Sequence, residues 1–341
     1  MDKSRSDLIV WLRGRPHPIG QGQSFEQDAL ALCLSFITAG WLDAIFFLPS
    51  FAYHSVCHLA SCAVRWEERI RTKRARRQLL SIQANPGASY VVPHHFGMIM
   101  DGNRRWAKRH AVSISEGHEA GTRAVHALIS WWIDLEHRLS RAGYEHAKPT
   151  RPSTISLWAL SMDNFKRKPD EVANLLQLIA RHLVDVAYTP AIHLHRVRVR
   201  IIGAEGARAK FSPALCDAID LVERLTATYG PNSPGGGFDL LYSVGYDGRA
   251  EIVDAVRDIA LGGDTVSEAA ISSRTSCAQI GVPPCDLLVR SSMLLRTSGY
   301  FLWDMRSAEM FFVKRLWPDF TELDWLQACL HFSRRSATGG A

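Results

Sequence analysis

Short apolar runs alternate with amphipathic stretches along the last two thirds of the chain. Stretches with helical spacing begin near residues 117, 169, 212 and 248. The intervening runs, rich in branched and aromatic side chains, are FGMIM (96–100), TISLWAL (154–160), RVRVRIIG (196–203), FDLLYSV (238–244), DLLVRS (286–291) and EMFFV (309–313). Strands and helices in alternation predict an α/β fold with a central, mostly parallel sheet flanked by helices.

The beginning of the chain has a different pattern. Residues 29–64 contain one formal charge, Asp43, and residues 65–80 follow with seven basic and two acidic side chains. About 20 apolar residues suffice to span a bilayer, and a basic flank favours the cytosolic side. The pattern predicts a membrane-associated N-terminal helical segment, residues 1–80, either spanning or lying in the membrane plane. A buried helical hairpin broken at Pro49 is the alternative.

Composition narrows the classes of function. The chain has 341 residues and a net charge of +6, most of which comes from the basic block, so no nucleic-acid partner is expected. Seven scattered cysteines without a CxxC pair favour a reducing compartment. Residues 81–93, with small side chains and two prolines, predict a linker. A catalytic domain over 94–341 is expected to follow it, with a loop predicted at 136–153.

The densest chemical signal is HHFGMIMDGNRRWAKRH at 94–110. It predicts Asp101 at the carboxyl end of a strand and just before a helix, where open α/β sheets bind their ligands. Gly102 lets the backbone approach a phosphate, Arg105 adds positive charge, and Asp101 is a candidate Mg²⁺ ligand. Asp-Gly-Asn is also a common turn sequence, so the motif alone leaves both interpretations open.

Three further clusters lie in the same domain. EGHEAG (116–121) places glycines at a helix start, and SMDNFKRKPDEV (161–172) repeats Ser161, Asn164 and Arg167 at a spacing of three. That spacing directs side chains the same way within a helical turn, although Ser161 could instead cap the following helix. RSSMLLRTSGYFLW (290–303) holds two arginines and a hydroxyl suited to a diphosphate.

In this order the clusters resemble the cis-prenyltransferases, the family of undecaprenyl and dehydrodolichyl diphosphate synthases. The resemblance covers roughly residues 90–335. It rests on M-D-G-N-R-R-W-A-K, G-H-E-A-G, S-x-x-N-F-x-R, Y-x-G-R from Tyr246 to Arg249, and L-W-P-D-F at 316–320. R-R-W after Asn103 is similar to the eukaryotic dolichol branch.

The resemblance implies a role for each matching residue. Catalytic roles would fall to Asp101, His118, Ser161 and Asn164, and Mg²⁺ would be held by Asp101 with Glu309, the latter at the metal or in neighbouring-subunit contacts. The substrate-binding residues implied are Gly102, Asn103, Arg105 and Arg167 for the allylic diphosphate, Trp106 and Phe165 as apolar walls, and Arg290, Arg296 and Ser298 for isopentenyl diphosphate. A hydrophobic tunnel, with helix faces 124–135 and 172–183 as candidate lining, would hold the product; ordinary core is the alternative for these faces.

Condensation of isopentenyl diphosphate with an allylic diphosphate, such as farnesyl diphosphate, is the implied activity. The expected product is a Z-polyprenyl diphosphate for dolichol-type lipid, made at the cytosolic face of the endoplasmic reticulum membrane. Alternatives are short-chain irregular coupling or terpene cyclisation, and a non-catalytic partner subunit. The stretched tail from Arg335 to Gly339 favours a related accessory subunit, with a homodimer as the other option.

Several positions depart from the family pattern. Ile114 replaces an arginine, Met293 and Leu294 replace Gly and Glu, Gly299 replaces a polar residue, and Asp304 replaces Gln. We expect these changes to affect substrate and product more than the fold.

Overall fold

The computed structural model describes residues 50–83, 93–141, 153–234 and 236–334. The chain divides into two compact units, Met1–Gln78 and Leu79–Ala341. Helix α1 (Ser50–Gln83) begins within the apolar run and contains the whole basic block. Nowhere in the described ranges does a helix have the length and hydropathy of a membrane span. Residues 81–83, predicted to begin the linker, instead continue α1 to Gln83. Residues 29–49 of the apolar run and 84–92 of the predicted linker lie outside these ranges, so the rest of both predictions stays a prediction.

The second unit contains the predicted parallel sheet. Its six strands are β1 (His95–Ile99), β2 (Thr154–Ser161), β3 (Val197–Ile202), β4 (Phe238–Tyr246), β5 (Leu287–Arg290) and β6 (Glu309–Phe312). They lie in the order β3-β4-β2-β1-β5-β6, and every described pairing is parallel. This confirms the predicted α/β fold.

Burial explains why the central strands could be predicted from apolar runs in the sequence. Every residue of β1 and of β4 is buried, as expected for parallel strands covered by helices on both faces. β6 lies at the sheet edge and has no fully buried residue. Central position in the sheet therefore determines how continuous the apolar run is.

The helices of the second unit lie between the strands from β1 to β5, and a last helix follows β6. They are α2 (Asn103–His110), α3 (Ile114–Arg141), α4 (Pro169–Tyr188), α5 (Pro190–Leu194), α6 (Pro213–Thr226), α7 (Gly248–Leu261), α8 (Glu268–Ser272), α9 (Ser276–Gln279) and α10 (Glu322–Ser333). One boundary prediction is wrong: residues 136–141, expected in a loop, continue α3 to Arg141. The rest of that predicted loop up to residue 152 lies outside the described residues.

The connectivity determines where a ligand site forms. Within the sheet, β2, β3 and β4 lie to one side of β1, and β5 and β6 lie to its other side. The winding direction thus changes at β1, and the carboxyl ends of β1 and β5 lie side by side. In open α/β sheets, such a switch point is where ligands bind.

Candidate active site

Asp101 and Gly102 form the turn between β1 and α2. Gly102 has a φ of +120°, and a Cβ there would lie 3.0 Å from the backbone of Leu316. Only glycine fits both the conformation and the space. The backbone N–H of Asp101 donates to Ser291 Oγ (2.9 Å), and its carbonyl oxygen accepts from Trp317 N–H (3.0 Å). The turn is therefore fixed by segments distant in sequence.

Two arginines hold the Asp101 carboxylate. Arg290, at the end of β5, donates to Oδ2 (2.8 Å), and Arg105 in α2 donates to Oδ1 (3.0 Å). Burial raises the pKa of Asp101, but hydrogen bonds from Arg290 and Ser292 and the arginine charges outweigh it, so the pKa lies below its ordinary value. Asp101 is thus ionised at neutral pH.

Arg290 also organises the segment that follows β5. Its side chain is buried and donates to the carbonyl oxygen of Arg296 (2.6 Å) and to Ser298 Oγ (2.8 Å). Arg296 and Ser298 are themselves exposed. The three residues predicted to bind one diphosphate therefore lie together, confirming their expected proximity, while their role stays a prediction.

The G-H-E-A-G motif has a packing role. A Cβ at Gly117 would lie 2.6 Å from the backbone oxygen of Asn103, and one at Gly121 would lie 2.5 Å from Asn103 Oδ1. Asn103 begins α2, so the two glycines let α3 pack closely against the start of α2. Asn103 Oδ1 is buried and has no hydrogen-bond partner among the described residues.

An open cavity of about 680 Å³ lies beside this turn. Its lining combines four cations and one carboxylate with an apolar floor: Met100, Asp101, Gly102, Asn103, Arg104, Arg105, Ala107, Lys108, Val112, Ile114, His118 and Arg167. A cavity of this size holds a small organic ligand, and the cations suit one with several negative charges. The arrangement can bind and stabilise a departing diphosphate.

His118 lines this cavity as a neutral imidazole. Burial, together with the positive charge of Arg167, lowers its pKa from 6.5 to about 4, and the negative charge of Glu171 offsets this only in part. Glu171, in α4, accepts a hydrogen bond from Arg167 (3.0 Å) and lies 3.8 Å from Arg104 Nε. Sequence reasoning missed Arg104 and Glu171. The only available signal for Glu171 was its position four residues after Arg167.

Eight predicted site residues lie outside the cavity lining, and four of them, Trp106, Ser161, Asn164 and Phe165, make contacts of their own. Ser161 N–H donates to Asn164 Oδ1 (3.0 Å), so this pair forms the start of the 3₁₀ turn Met162–Lys166. The following helix α4, which the alternative interpretation expected Ser161 to cap, is preceded by Lys168. Phe165 stacks on Phe211 with ring centroids 6.4 Å apart, and Trp106 donates to Asp319 (2.8 Å). These contacts give each residue a structural role.

Glu309 lies far from Asp101 within the chain. It begins β6 in register with Leu287, which pairs with Phe96 near the start of β1. Asp101 follows the opposite end of β1. A strand advances about 3.3 Å per residue, which separates the two carboxylates by on the order of 15 Å. The structure does not bring them together as one metal site within the chain, and the predicted subunit contact of Glu309 stays a prediction.

Among the described residues that line the cavity, Asp101 is the one carboxylate that can bind a metal. No group of three or more His, Cys, Asp or Glu side chains suited to a metal exists among the described residues. Mg²⁺ commonly takes one or two carboxylates and completes its shell with water and substrate phosphates. An ionised Asp101 in a diphosphate-sized cationic cavity fits such an ion.

Known proteins match this chain over the same region. A model of the undecaprenyl diphosphate synthase family matches residues 99–340. The chain belongs to this family, the cis-prenyltransferases. It is therefore a transferase of prenyl groups, as its motifs predicted.

Relatives of this cis-prenyltransferase are similar over most of their lengths. An isoprenyl transferase of Thermus thermophilus is 32% identical over 274 residues, which cover 78% of this chain and 93% of that protein. A tritrans,polycis-undecaprenyl-diphosphate synthase (geranylgeranyl-diphosphate specific) of Thermoplasma acidophilum is 30% identical over 259 residues, 74% of this chain and 90% of that one. Lavandulyl diphosphate synthase from Lavandula x intermedia, crystallised with dimethylallyl diphosphate, has a TM-score of 0.61 at 28% identity, covering 72% of this chain and 97% of that chain.

The tunnel expected of a cis-prenyltransferase stays a prediction. Leu128 and Leu135 of α3, like Leu176 and Leu183 of α4, are buried with the core that covers the sheet. Their burial agrees with the core alternative at each position.

Proposed function

We propose that the chain condenses isopentenyl diphosphate with an allylic diphosphate to make a Z-polyprenyl diphosphate. One observation carries the proposal: Asp101 bridges Arg105 on one side (3.0 Å) and Arg290 on the other (2.8 Å). These arginines belong to the two groups of residues assigned to the two diphosphates. A single carboxylate between them can serve both substrates at once.

In this proposal the allylic diphosphate occupies the cavity. Arg105, Arg167 and the N-terminal N–H groups of α2 bind it and stabilise its negative charge as the allylic C–O bond breaks. Arg290, Arg296 and Ser298 hold the diphosphate of the isopentenyl unit. Its double bond forms the new C–C bond with the allylic carbon, and the unit then loses a proton, which the released diphosphate can accept.

Mg²⁺ would supply charge neutralisation for the departing diphosphate, with Asp101 as its protein ligand.

His118 remains neutral beside the cavity because of its burial, so it can donate or accept a hydrogen bond without adding charge. Glu171 holds Arg167 and keeps its guanidinium directed at the cavity rim.

A second candidate function is short-chain or irregular coupling. It is favoured by the likeness to lavandulyl diphosphate synthase and by Met293, which is exposed in the segment that carries Arg296. The expected dolichol-type product is supported by the R-R-W motif, whereas the two curated relatives named above are bacterial and archaeal.

Product sizing distinguishes these functions. Purified protein, labelled isopentenyl diphosphate and Mg²⁺ would be incubated with dimethylallyl, farnesyl or geranylgeranyl diphosphate, and the products separated by length. A ladder of labelled products extended by several units supports chain elongation, and a single labelled C10 product supports short-chain coupling. An unlabelled C10 product made from two dimethylallyl units supports irregular coupling. Full turnover by the purified single chain would exclude a required accessory subunit, and no product with any acceptor would contradict the enzyme proposal.

We further propose that the N-terminal segment attaches the enzyme to a membrane, at the cytosolic face of the endoplasmic reticulum if the product is dolichol-type. The apolar run of 29–64 and the basic block support this. Arg69, Lys73 and Arg77 are exposed at a spacing of four along α1, which places them on one face of the helix. A row of cations of this kind suits anionic lipid headgroups.

A further inference from the structure

Two buried carboxyl groups lie together near the segment that carries Arg296 and Ser298. Asp304 is 7% exposed, and Glu251 in α7 is 6% exposed. Asp304 Oδ2 is buried and has no hydrogen-bond partner among the described residues. A buried polar atom without a partner is costly, so its persistence requires an explanation.

Among the described residues, the groups that act on the Asp304 carboxyl include no cation. It faces the carboxyl of Glu251 from α7, the thiol of Cys277 from α9, the Thr275 hydroxyl that precedes α9, and Cys285 before β5. Cys277 and Thr275 hydrogen-bond to the Asp304 carboxyl, and its backbone oxygen accepts from Cys285 N–H (2.9 Å).

Glu251 is fixed in place by its own partners. Its Oε2 accepts from the Tyr246 hydroxyl (2.6 Å), and its Oε1 accepts from Ser276 N–H (3.0 Å). These two hydrogen bonds fix the position of Glu251. Repulsion between Glu251 and an ionised Asp304 would therefore displace the segment that carries Asp304. Burial, followed by the charge of Glu251, raises the pKa of Asp304 from 3.8 to about 6.

The same segment contacts α7 at a second point, Gly299. The first residue of α7, Gly248, donates its N–H to the carbonyl oxygen of Gly299 (3.1 Å), and a side chain at Gly248 would clash with that oxygen. The segment also has residues other than glycine at positive φ: Ser292 (75°), Met293 (57°), Ser298 (54°) and Phe301 (48°). Such conformations persist only where the surroundings impose them.

We propose that Asp304 is a positioning residue whose protonation state sets how tightly residues 291–304 hold the isopentenyl diphosphate. The inference rests on the proposed function of Arg296 and Ser298. Protonated Asp304 lies beside Glu251 without repulsion, and the segment stays against α7. Ionised Asp304 adds a second buried negative charge, which disrupts the packing of the segment against α7. Arg296 and Ser298 then bind isopentenyl diphosphate more weakly.

Calorimetric binding of isopentenyl diphosphate between pH 5.5 and 8.5 tests this proposal. Asp304→Asn keeps the shape and removes the ionisation. The ratio of wild-type to variant Kd should be near one at pH 5.5 and rise several-fold above pH 7. The ionisation of the ligand itself cancels in this ratio. Glu251→Gln should flatten the wild-type dependence in the same way, and Asp258→Asn, exposed on α7, should leave it unchanged.

Thermal unfolding without ligand gives a second readout. Because the folded protein binds the Asp304 proton more tightly than the unfolded chain, wild type should lose stability relative to Asp304→Asn as pH rises from about 4 to about 6, by up to about a hundredfold in the unfolding equilibrium. A Kd ratio independent of pH, with binding intact, would overturn the positioning role and leave the proposed function standing. Absence of binding at every pH would contradict the proposed function itself.

Discussion

At the scale of single residues, Asp101 shows how a carboxylate can stay charged in a half-buried position. Burial favours its neutral form, but hydrogen bonds and charges from Arg290 and Arg105 favour the ionised form and prevail. The same contacts place its two oxygens toward both proposed diphosphate sites. A neutral side chain of the same shape should therefore keep the geometry and lose the chemistry.

Asp101→Asn tests that role directly. We expect kcat/KM to fall by at least about a hundredfold, since a fixed charge acting on a transition state is typically worth that much. Circular dichroism should show an unchanged fold, because the amide can still accept a hydrogen bond. Asp185→Asn, an exposed carboxylate on α4, is the matched control. Wild-type turnover in the Asp101 variant would refute the assignment.

The second residue-scale prediction concerns His118. Because its pKa is lowered to about 4, the unfolded chain binds the proton more tightly, and the protein should lose stability as pH falls from 6.5 toward 4. His118→Asn should reduce this acid sensitivity. The imidazole resonances of His118, assigned by comparison with the variant, should titrate near 4 in NMR spectra. Titration near 6.5 would show that the imidazole is solvated.

Sequence patterns predicted which site residues lie at strand ends, but not which side chains from distant segments contact each other. Asp101 and Arg290 were predictable because strand and turn signals place them at the carboxyl edge of the sheet. Phe165 stacks on Phe211, which lies 46 residues later in the sequence, a contact that no local pattern predicts; its role as a wall of the substrate site stays a prediction. The contact between Arg104 of α2 and Glu171 of α4 joins two helices, and the only local signal of it was the spacing of four between Arg167 and Glu171.

At the scale of elements, the contact between α2 and α3 determines the position of the cavity. Ala107 is buried within α2, and the carbonyl oxygen of Gly121 accepts from Trp317 Nε1 (2.8 Å), which ties α3 to the turn after β6. Gly117 and Gly121 are one helical turn apart and face the same neighbour. The motif was recognisable in the sequence, whereas this packing role required the structure.

Gly121→Ala tests the close approach. The added Cβ would meet Asn103 Oδ1 and Trp317, so we expect the free energy of unfolding to fall by about 1–3 kcal/mol, as for other overpacked sites. The KM for the allylic diphosphate should rise with it, because α2 carries Arg105. Denaturant titration measures the first effect. Glu119→Ala, exposed on the same helix, should change stability by less than about 0.5 kcal/mol, and equal stability of the two variants would contradict the packing account.

Burial and turn residues decided which strands and helix ends could be predicted from the sequence. The central strands were predictable because burial on both faces demands continuous apolar runs. The end of α3 was not predictable, since residues 136–141 are polar apart from Leu139 and no glycine or proline marks a stop before Arg141. The edge strand β6 was found from its EMFFV run despite partial exposure.

At the scale of the whole molecule, the change of winding at β1 brings segments nearly 190 residues apart to one edge. Asp101 and Arg290 meet there through topology. Sequence reasoning could predict that both lie at strand ends, and the family resemblance supplied their shared function. Sequence reasoning could not predict the strand order. The place of β1 between β2 and β5 depends on packing between segments that are distant in sequence.

Vesicle binding tests the proposed role of the N-terminal unit. The full chain should sediment with vesicles containing phosphatidylserine, and replacing Arg69, Lys73 and Arg77 by Ser should lower the bound fraction because each surface cation contributes about 1 kcal/mol. Raised salt should weaken wild-type binding. The matched control replaces three exposed cations of the second unit, Arg181, Arg224 and Lys314. Equal loss in both triple variants would contradict a specific role for the basic face.

The stereochemistry and stoichiometry of the condensation test the central claim most directly. Wild-type protein would be given an allylic diphosphate, ¹³C-labelled isopentenyl diphosphate and Mg²⁺, with released diphosphate counted and the product analysed by NMR. The account predicts one diphosphate released for each isopentenyl unit added, Z geometry at every new double bond, and neither signal with Asp101→Asn. New double bonds of E geometry, or diphosphate release without a new carbon–carbon bond, would contradict it.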